Sequence, residues 1–244
     1  MGRIFITGSA DGLGLLAAKS LIEKGHQVVA HARDENRKLD ITGKLKGADG
    51  IVTGNLSDIE ETKELAQQLN SLGKFDAVIH NAGVYNAAPE QIFKVNTLAP
   101  YILTSLMQRP KRLIYLCSDM HTHADASIGF SRNGFDHVTY SDSKFYVLLL
   151  SLAVSRKWKD VYSNTVDPGW VPTKMGGRSA PGDLAKGYET QVWLAASNDE
   201  KAKVTGRYFY HQKERSYKKE ANNFSLQDQF LDACNEISGI PFPA

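Results

Sequence analysis

The 244-residue chain has few of the features that mark secreted, membrane-spanning or nucleic-acid-binding proteins. Its two cysteines, Cys117 and Cys234, are too few for a disulfide framework and fit a reducing cytoplasm. The 29 Lys and Arg nearly balance the 27 Asp and Glu, so no excess charge favours nucleic acid or an anionic membrane. The longest strongly apolar run, residues 145–154, is too short to cross a bilayer. The first residues lack the apolar region of a signal peptide, so we expect a cytoplasmic protein.

Short apolar segments alternate with segments of helical periodicity along the chain. The predicted strands are residues 3–7, 27–31, 50–53, 76–80, 112–117, 161–166 and 206–210. The predicted helices are 13–24, 91–108, 138–158, 184–196 and 225–237. A further helix is predicted to start at the capping box Ser57–Glu60, with Ser57 as its cap. This alternation predicts an α/β, Rossmann-type doubly wound fold, with a mostly parallel seven-stranded sheet and helices on both faces. We expect one domain, 1–244, with a small C-terminal substrate region at about 174–244, and a solvated loop at 213–220.

A glycine-rich turn, Thr7 to Gly14, joins the first predicted strand to the first predicted helix. Glycines allow the backbone to approach a pyrophosphate, and the helix N-terminus offers free N–H groups and a positive dipole end. Such a pattern also occurs in ordinary turns. Because it lies at the first strand-to-helix junction, it predicts cofactor-phosphate contacts from Gly8, Ser9, Asp11, Gly12, Leu13 and Gly14.

Tyr140 and Lys144 open the helix predicted at 138–158 and share one helical face. A phenol with a pKa of about 10 is a poor acid–base catalyst at neutral pH. A neighbouring ammonium and an oxidised nicotinamide both favour the phenolate and can lower that pKa. Ser118 ends the fifth strand, at the sheet edge where open α/β folds bind ligands. We therefore expect Tyr140 to exchange a proton with a substrate oxygen that Ser118 orients.

These motifs together resemble the short-chain dehydrogenase/reductase family, whose compact branch carries the same glycine spacing. Asn96, Ser118, Tyr140 and Lys144 match the family's catalytic tetrad in order. The resemblance implies that Asn96 lies at a helix kink and holds a water in a proton relay, and that Lys144 binds the ribose. The 22-residue interval from Ser118 to Tyr140 resembles the group of retinol dehydrogenases and protochlorophyllide reductases.

The resemblance also implies which cofactor is bound. Ala32 stands where NAD-preferring members have Asp, and Arg33 after it can bind the 2′-phosphate of NADP, with help from Arg37 or Lys38. Asp11 favours NAD instead, because it is acidic at a turn position where some NADP-binding relatives carry a basic residue. We expect NADP(H) to be preferred, with NAD(H) possible. Further implied cofactor contacts are Asn55, Leu56, Asn81, Ala82, Gly83, Tyr140, Lys144, Pro168, Gly169, Val171 and Thr173.

The sequence thus predicts an NADPH-dependent carbonyl reductase with a small-molecule carbonyl or alcohol substrate. The alternatives are a non-catalytic NADP(H)-sensing Rossmann protein and, less compatible with the glycine spacing, a sugar-nucleotide epimerase of the extended branch. No metal is expected, because no distant His or Cys cluster completes the run from His121 to Asp125. In the family the helix predicted at 138–158 packs against a partner subunit, so a homodimer is possible. The glycine-rich loop 174–182 is expected to close over the nicotinamide. Trp170 and Met175, with His121 or His123 opposite, are then expected to line a mixed apolar and polar pocket for a medium-sized carbonyl compound.

Overall fold

The computed structural model describes residues 1–126 and 137–243 and shows one sheet with helices on both faces. The strands are β1 (Arg3–Ile6), β2 (Gln27–Ala32), β3 (Gly50–Thr53), β4 (Ala77–His80), β5 (Arg112–Leu116), β6 (Tyr162–Asp167), β7 (Arg207–Tyr210) and β8 (Lys213–Arg215). The helices are α1 (Gly12–Glu23), α2 (Glu35–Thr42), α3 (Ile59–Ser71), α4 (Pro89–Phe93), α5 (Ala99–Leu106), α6 (Tyr140–Lys157), α7 (Leu184–Ala196) and α8 (Phe224–Ser238). Within the described ranges, no helix is both long and apolar enough to cross a membrane.

The sheet has the doubly wound order β3-β2-β1-β4-β5-β6-β7-β8, and the strands from β1 to β7 are parallel. The chain builds outward from β1 to β3 and then resumes at β4 on the other side of β1. This reversal opens a crevice outside the carboxyl ends of β1 and β4, the usual ligand position in such sheets. The predicted fold class is confirmed.

Among the described residues the sheet has eight strands, not the predicted seven. Residues 213–215, expected to be part of a solvated loop, form β8 and pair antiparallel with β7. All three residues of β8 are exposed, so the segment has no apolar pattern from which a strand could be predicted. Charged side chains are typical of an edge strand, where they discourage pairing with another chain.

The strands are apolar because their side chains pack against helices on both faces of the sheet. On one face Phe5, Val78 and Tyr115 belong to a large cluster that includes residues of α3, α5 and α6. On the other face Ile6 and Ile114 pack in a second cluster with residues of α1 and α7. The other predicted strands and helices are confirmed to within two residues at each end.

One helix starts differently from the prediction, and one helix is not predicted. Helix α3 is capped by Asp58, whose side chain accepts from the N–H of Glu61, rather than by Ser57. The Ser57 hydroxyl instead donates to Asn55 Oδ1 at 2.8 Å, so it is used within the preceding turn. Helix α2 is not predicted by periodicity, because Ile41 is the only buried residue among its eight.

The helix predicted at 91–108 consists of α4, a π-helical turn at Lys94–Leu98, and α5. Asn96 lies in the middle of the π-helical turn and is buried. Such turns commonly mark functional sites and bend the helix that contains them. The distortion is at the position where the family resemblance implies a kink.

Helix α8 and the C-terminal tail cover α5 and α6. Tyr146 stacks on Phe230 with ring centroids 5.9 Å apart, and Trp158 stacks on Phe242 at 5.1 Å. The Tyr101 hydroxyl donates to the carbonyl of Ile240 at 2.7 Å. Every residue of α6 from Asp142 to Val154 is buried within this one chain. A partner subunit would therefore have to contact other parts of α6 or displace α8, and the homodimer stays a prediction.

Replacement of Phe230 by Ala should lower the free energy of unfolding by about 3–5 kcal/mol, because it leaves a cavity between α8 and α6. Urea unfolding followed by circular dichroism measures this loss. The matched control is Phe224→Ala, since Phe224 is 62% exposed at the start of the same helix. We expect the control to lose less than about 1 kcal/mol. Equal losses at the two positions would contradict this role for α8.

Candidate active site

A cleft of about 610 Å³ opens at the carboxyl ends of the central strands. The residues predicted as site residues that line it are Gly8, Asp11, Gly12, Leu13, Arg33, Asn55, Leu56, Asn81, Ala82, Gly83, Tyr140, Lys144, Pro168 and Thr173. Six predicted residues are not in its lining, namely Ser9, Gly14, Asn96, Ser118, Gly169 and Val171. Lining residues that the motifs do not select include Ala10, His31, Val84, Gln91, Val95, Leu116, Cys117, Lys174 and Met175.

The glycine turn packs directly against the loop that follows β4. Gly8 has φ +64°, and a Cβ added there would lie 2.9 Å from the Cα of Ala82. A Cβ on Gly14 would collide with the Gly8 carbonyl and the Asn81 amide. Only glycine therefore fits at these two positions. Gly14 shapes the turn from beneath, which explains why it does not line the cleft.

Hydrogen bonds join the same two segments. The Asn81 amide donates to the carbonyls of Thr7 and Gly8 at 3.0 and 3.1 Å. In return, Thr7 Oγ1 accepts from the backbone N–H groups of Asn81 and Ala82, both at 3.0 Å. The family-like segment Asn81–Gly83 thus holds the glycine turn in place. This arrangement accounts for an asparagine at Asn81 without any ligand.

His31 connects the glycine turn to the loop after β3, a role that no sequence motif indicates. Its Nδ1 accepts from the N–H of Gly8 at 3.0 Å, so its Nε2 carries the proton and donates to the carbonyl of Gly54 at 2.8 Å. The backbone N–H of His31 donates to Ser9 Oγ at 2.8 Å, and Ser9 is fully buried. Burial lowers the pKa of His31 to about 4, so the ring is neutral at physiological pH. Ser9 therefore supports the turn rather than lining the cleft.

Three charged side chains meet at the outer end of the cleft. The Asp11 carboxylate pairs with Arg37 at 2.7 Å and with Lys174 at 3.0 Å. Burial by itself would raise the pKa of Asp11, but the bonds to Lys174 and Arg37 outweigh it and lower that pKa. Arg33 pairs with Asp34 at 3.2 Å and is more exposed than Arg37. Lys174 lies in the loop predicted to close over the cofactor, so its ion pair connects that loop to the glycine turn.

Tyr140 is the first residue of α6, directly after a capping box made by Thr139 and Asp142. Lys144 is buried one turn later, where its Nζ donates to the carbonyl of Leu116 at 2.8 Å and lies 5.3 Å from the Tyr140 ring centroid. Burial lowers the pKa of Lys144 to about 8. Burial also raises the pKa of Tyr140, so in the protein alone the expected lowering by Lys144 is not observed. Desolvation of the phenol is the main cause, and Lys144 does not offset it because its own lowered pKa leaves it uncharged at the pH where such a phenol ionises.

Asn96 lies behind the cleft and fixes one of its walls. Its Oδ1 accepts from the N–H of Val84 at 2.8 Å, and its Nδ2 donates to the carbonyl of Val84 at 2.9 Å and to Ser143 Oγ at 3.0 Å. A Cβ on Gly83 would lie 3.4 Å from Asn96 Oδ1 and 3.6 Å from Lys144 Nζ. Asn96 and Lys144 thus approach the same glycine. The water relay implied for Asn96 stays a prediction.

Ser118 follows β5 and caps a 3₁₀ turn at Asp119–His123. Its hydroxyl oxygen accepts from the N–H of Met120 at 3.3 Å and donates to Asp119 at 3.2 Å. His121 in this turn is buried and accepts from the N–H of Lys218 at 3.2 Å, so its Nδ1 donates to the Ser118 carbonyl at 2.6 Å. Both ring nitrogens of His121 are thus hydrogen-bonded to backbone groups. His121 therefore has no ring nitrogen free to meet a substrate, contrary to the expectation from sequence. Much of the long loop 119–136 lies outside the described residues.

The segment after β6 turns sharply at Gly169, with φ +75°, where its N–H donates to Asp167 Oδ1 at 2.8 Å. This turn places Pro168 and Thr173 in the cleft lining, whereas Val171 points into the core and is buried. Residues 174–182 contain no helix or strand. Closure of this loop stays a prediction.

A family model for short chain dehydrogenases matches residues 3–183, which contain the glycine turn, Tyr140 and Lys144. The chain belongs to the short-chain dehydrogenase family. Among curated members it is similar to the short-chain dehydrogenase chry4 of Gibberella zeae, with 40% identity over 260 residues and all of both chains covered. It is 42% identical over 256 residues to an uncharacterized oxidoreductase of Emericella nidulans, with 100% of this chain and 99% of the relative covered.

Solved structures show the same fold at low sequence identity. An uncharacterized protein from Mycobacterium paratuberculosis has a TM-score of 0.81 at 17% identity, with 100% of this chain and 96% of that chain covered. The RhlG/NADP complex of Pseudomonas aeruginosa has a TM-score of 0.70 at 21% identity, with 85% and 94% covered. The carbonyl reductase Sniffer of D. melanogaster has a TM-score of 0.69 at 20% identity, with 89% and 100% covered.

Family membership makes the protein an oxidoreductase that acts on CH–OH or C=O groups with a nicotinamide cofactor and a small-molecule substrate. The predicted family is confirmed. The resemblance to the retinol dehydrogenase group stays a prediction.

The stability of this short-chain dehydrogenase should decrease as the pH falls from about 6.5 to about 4. The pKa of His31 in the folded chain, about 4, lies below its usual value of 6.5, so the unfolded chain binds the proton first. The stabilisation is complete above pH 6.5, and its loss on acidification amounts to about 3 kcal/mol.

Urea unfolding at several pH values measures this decrease. His31→Asn removes the titrating ring and should make the pH dependence shallower than in the parent. His123→Asn, a substitution of an exposed histidine, is the matched control and should keep the parent's pH dependence. The role of His31 is refuted if both variants follow the parent curve.

Proposed function

We propose that this short-chain dehydrogenase is an NADPH-dependent carbonyl reductase in which Tyr140 is the proton donor. The observation that carries the proposal is that Tyr140 and Lys144 line the same cleft as the glycine turn. Burial raises the pKa of Tyr140, so the phenol holds its proton at neutral pH. Reduction starts from the protonated phenol, because the substrate oxygen must gain a proton, and transfer of that proton would need Lys144 and the bound cofactor to lower the pKa of Tyr140. The fold shared with Sniffer, itself described as a carbonyl reductase, agrees with this assignment.

The chemistry that a bound reduced nicotinamide supplies is a hydride for the carbonyl carbon of the substrate. Tyr140 gives its phenolic proton to the carbonyl oxygen, and the phenolate regains a proton from solvent. Lys144 stabilises that phenolate through its charge, because its Nζ lies 5.3 Å from the ring centroid. Ser118, at the carboxyl end of β5, would orient the oxygen by a hydrogen bond once its hydroxyl gives up the bond to Asp119 and turns toward the cleft, whose lining does not include it in the protein alone. The products are the alcohol and the oxidised cofactor, so one hydride and one proton are added to C=O.

We propose that the glycine turn and the end of β2 bind the cofactor. The turn offers the N-terminus of α1 to the pyrophosphate. Arg33 and Arg37 both line the cleft, and Ala32 places no carboxylate there to repel a 2′-phosphate. Asp11 would have to yield Arg37 and Asp34 would have to yield Arg33 to that phosphate, so both ion pairs oppose NADP. The NADP complex of the similarly folded RhlG is in line with this preference.

We further propose that residues 1–244 act as one domain whose region 174–244 forms the substrate side of the cleft. Met175 from this region lines the cleft, and the N–H of Lys218 bonds to His121 beside Ser118. These contacts join the C-terminal region to the proposed catalytic residues.

Tyr140→Phe should lower kcat by about 10²-fold or more while NADPH still binds, because the ring is kept and only the proton donor is lost. Oxidation of NADPH, followed by absorbance with an aldehyde and ketone panel, measures turnover, and cofactor fluorescence titration measures binding. Tyr162→Phe, at an exposed tyrosine that starts β6, is the control and should behave as the parent. Near-parental turnover in Tyr140→Phe would overturn the assignment. A parent that binds NADPH but turns over no carbonyl compound would favour an NADP(H)-sensing role.

Arg33→Ala and Arg37→Ala should each weaken NADPH binding by about 10- to 100-fold and NADH binding little, because each removes a charge-assisted bond to the 2′-phosphate. Titration of both cofactors measures the ratio of their dissociation constants. Lys63→Ala is the control, since Lys63 pairs with Glu60 on α3 and does not line the cleft. Equal weakening for the two cofactors, or a parent that prefers NADH, would contradict the NADP assignment.

A further inference from the structure

Three large apolar side chains are exposed on the two loops that flank the catalytic end of the cleft. Tyr85, on the loop after β4, is 43% exposed, and Trp170, after β6, is 61% exposed. Met175, also after β6, is 48% exposed and lines the cleft itself. Tyr85 contacts Tyr140, and Met175 lines the same cleft as Tyr140, so both place exposed apolar surface at the proposed proton donor. Exposed apolar groups at a cleft commonly mark a ligand site, and here the substrate is the ligand to consider.

Tyr85 is in direct contact with the proposed proton donor. Its ring meets the Tyr140 ring edge to face, with centroids 4.9 Å apart and an interplanar angle of 78°. The residue before it, Val84, is held at both its N–H and its carbonyl by Asn96. The Tyr85 ring is therefore partly exposed, packs on Tyr140, and follows a residue whose backbone is held by Asn96. A ring that is already packed loses little entropy when a ligand binds to its free surface.

Trp170 is exposed but also anchored. Its indole N–H donates to the carbonyl of Gly176 at 2.7 Å, and its own carbonyl accepts from Gly182 at 3.0 Å. The strands β4 and β6 flank β5, so the loops that carry Tyr85 and Trp170 start about 10 Å apart. Tyr85 and Trp170 thus lie on the two loops on either side of the end of β5.

The cations that line the cleft already have partners. Arg37 and Lys174 pair with Asp11, and Arg33 pairs with Asp34. Lys144 donates to the Leu116 carbonyl. Among the described residues of the lining, Lys144 is the cation beside Tyr140, and the proposed mechanism uses its charge on the phenolate rather than on a carboxylate or phosphate of the substrate. An anionic substrate would lose hydration there without compensation.

We propose that the substrate is an uncharged aryl ketone, and that Tyr85 is the residue that selects its aromatic ring. The ring lies against Tyr85 and faces Trp170, which brings the attached carbonyl to Tyr140. Hydride addition at the carbonyl carbon and protonation of its oxygen give a 1-aryl alcohol and oxidised cofactor. This assignment rests on the proposed carbonyl reduction and specifies its substrate class.

The first test compares matched ketones on the parent protein with NADPH. Acetophenone and cyclohexyl methyl ketone have the same carbon skeleton and carbonyl but differ in aromaticity. We expect kcat/KM to be about 3- to 10-fold higher for acetophenone, mainly through a lower KM. 4-Methylacetophenone and 4-acetylbenzoate are matched in shape and differ in charge. The anionic member should be the poorer substrate by a similar factor or more.

The second test uses variants and follows the ratio of kcat/KM for acetophenone to that for cyclohexyl methyl ketone. Tyr85→Leu should reduce this ratio to near one, whereas Tyr85→Phe, which keeps the ring, should retain it. Trp170→Leu should reduce it in part. Tyr162→Leu makes the same change at a tyrosine that is 37% exposed at the opposite end of β6, and it should leave the ratio unchanged. Rescue by Phe distinguishes ring recognition from a general loss of structure.

The outcomes separate this inference from the proposed function. If the parent reduces neither these ketones nor a broad panel of aliphatic aldehydes and ketones, the carbonyl reductase assignment fails. If kcat/KM for cyclohexyl methyl ketone equals that for acetophenone, or kcat/KM for 4-acetylbenzoate equals that for 4-methylacetophenone, the reductase assignment stands. The uncharged aryl ketone class is then overturned. An unchanged ratio in Tyr85→Leu overturns the role of Tyr85.

Discussion

The close approach of Gly8 to Ala82 is the contact on which the rest of the cleft depends. A Cβ at Gly8 would lie 2.9 Å from the Ala82 Cα, so the two loops touch backbone to backbone. The Asn81 amide and the Thr7 hydroxyl then join the loops by hydrogen bonds. Because β1 and β4 are neighbours at the reversal of strand order, this contact sits where the fold opens a crevice. The cleft is therefore bounded by rigid backbone on its inner side.

The loop after β4 carries this constraint to the proposed catalytic residues. Val84 is held by Asn96, and Asn96 reaches Ser143 of α6, the helix that begins at Tyr140. The glycine turn and the phenol are thus connected by a short series of packed and hydrogen-bonded groups. The two ends of the cleft also differ in charge. Arg37 and Lys174 pair with Asp11 at the outer end, while burial keeps Tyr140 protonated and uncharged at the inner end. The two ends are suited to an anionic cofactor and an uncharged substrate.

Much of this arrangement is predictable from sequence because its signals are local. The fold class follows from alternating apolar strands and periodic helices, and the glycine turn and the Tyr140–Lys144 pair are contiguous motifs. Prediction failed where local pattern carries no information. Helix α2 buries only Ile41, and β8 consists of three exposed residues whose pairing is made by backbone groups. Asp58 caps α3 in place of the predicted Ser57, because the Ser57 hydroxyl donates to Asn55 within the preceding turn.

The sequence by itself determined the family, the sheet type and the positions that supply glycine, phenol and ammonium, since each depends on neighbours in the chain. Only the tertiary structure decided that His31 bridges Gly8 and Gly54, that Asp11 pairs with Arg37 and Lys174, and that Tyr85 meets Tyr140. These partners are far apart in sequence and come together through strand order. Tertiary burial also decided the direction of the Tyr140 pKa, because desolvation depends on what surrounds a group and not on the residue four positions away.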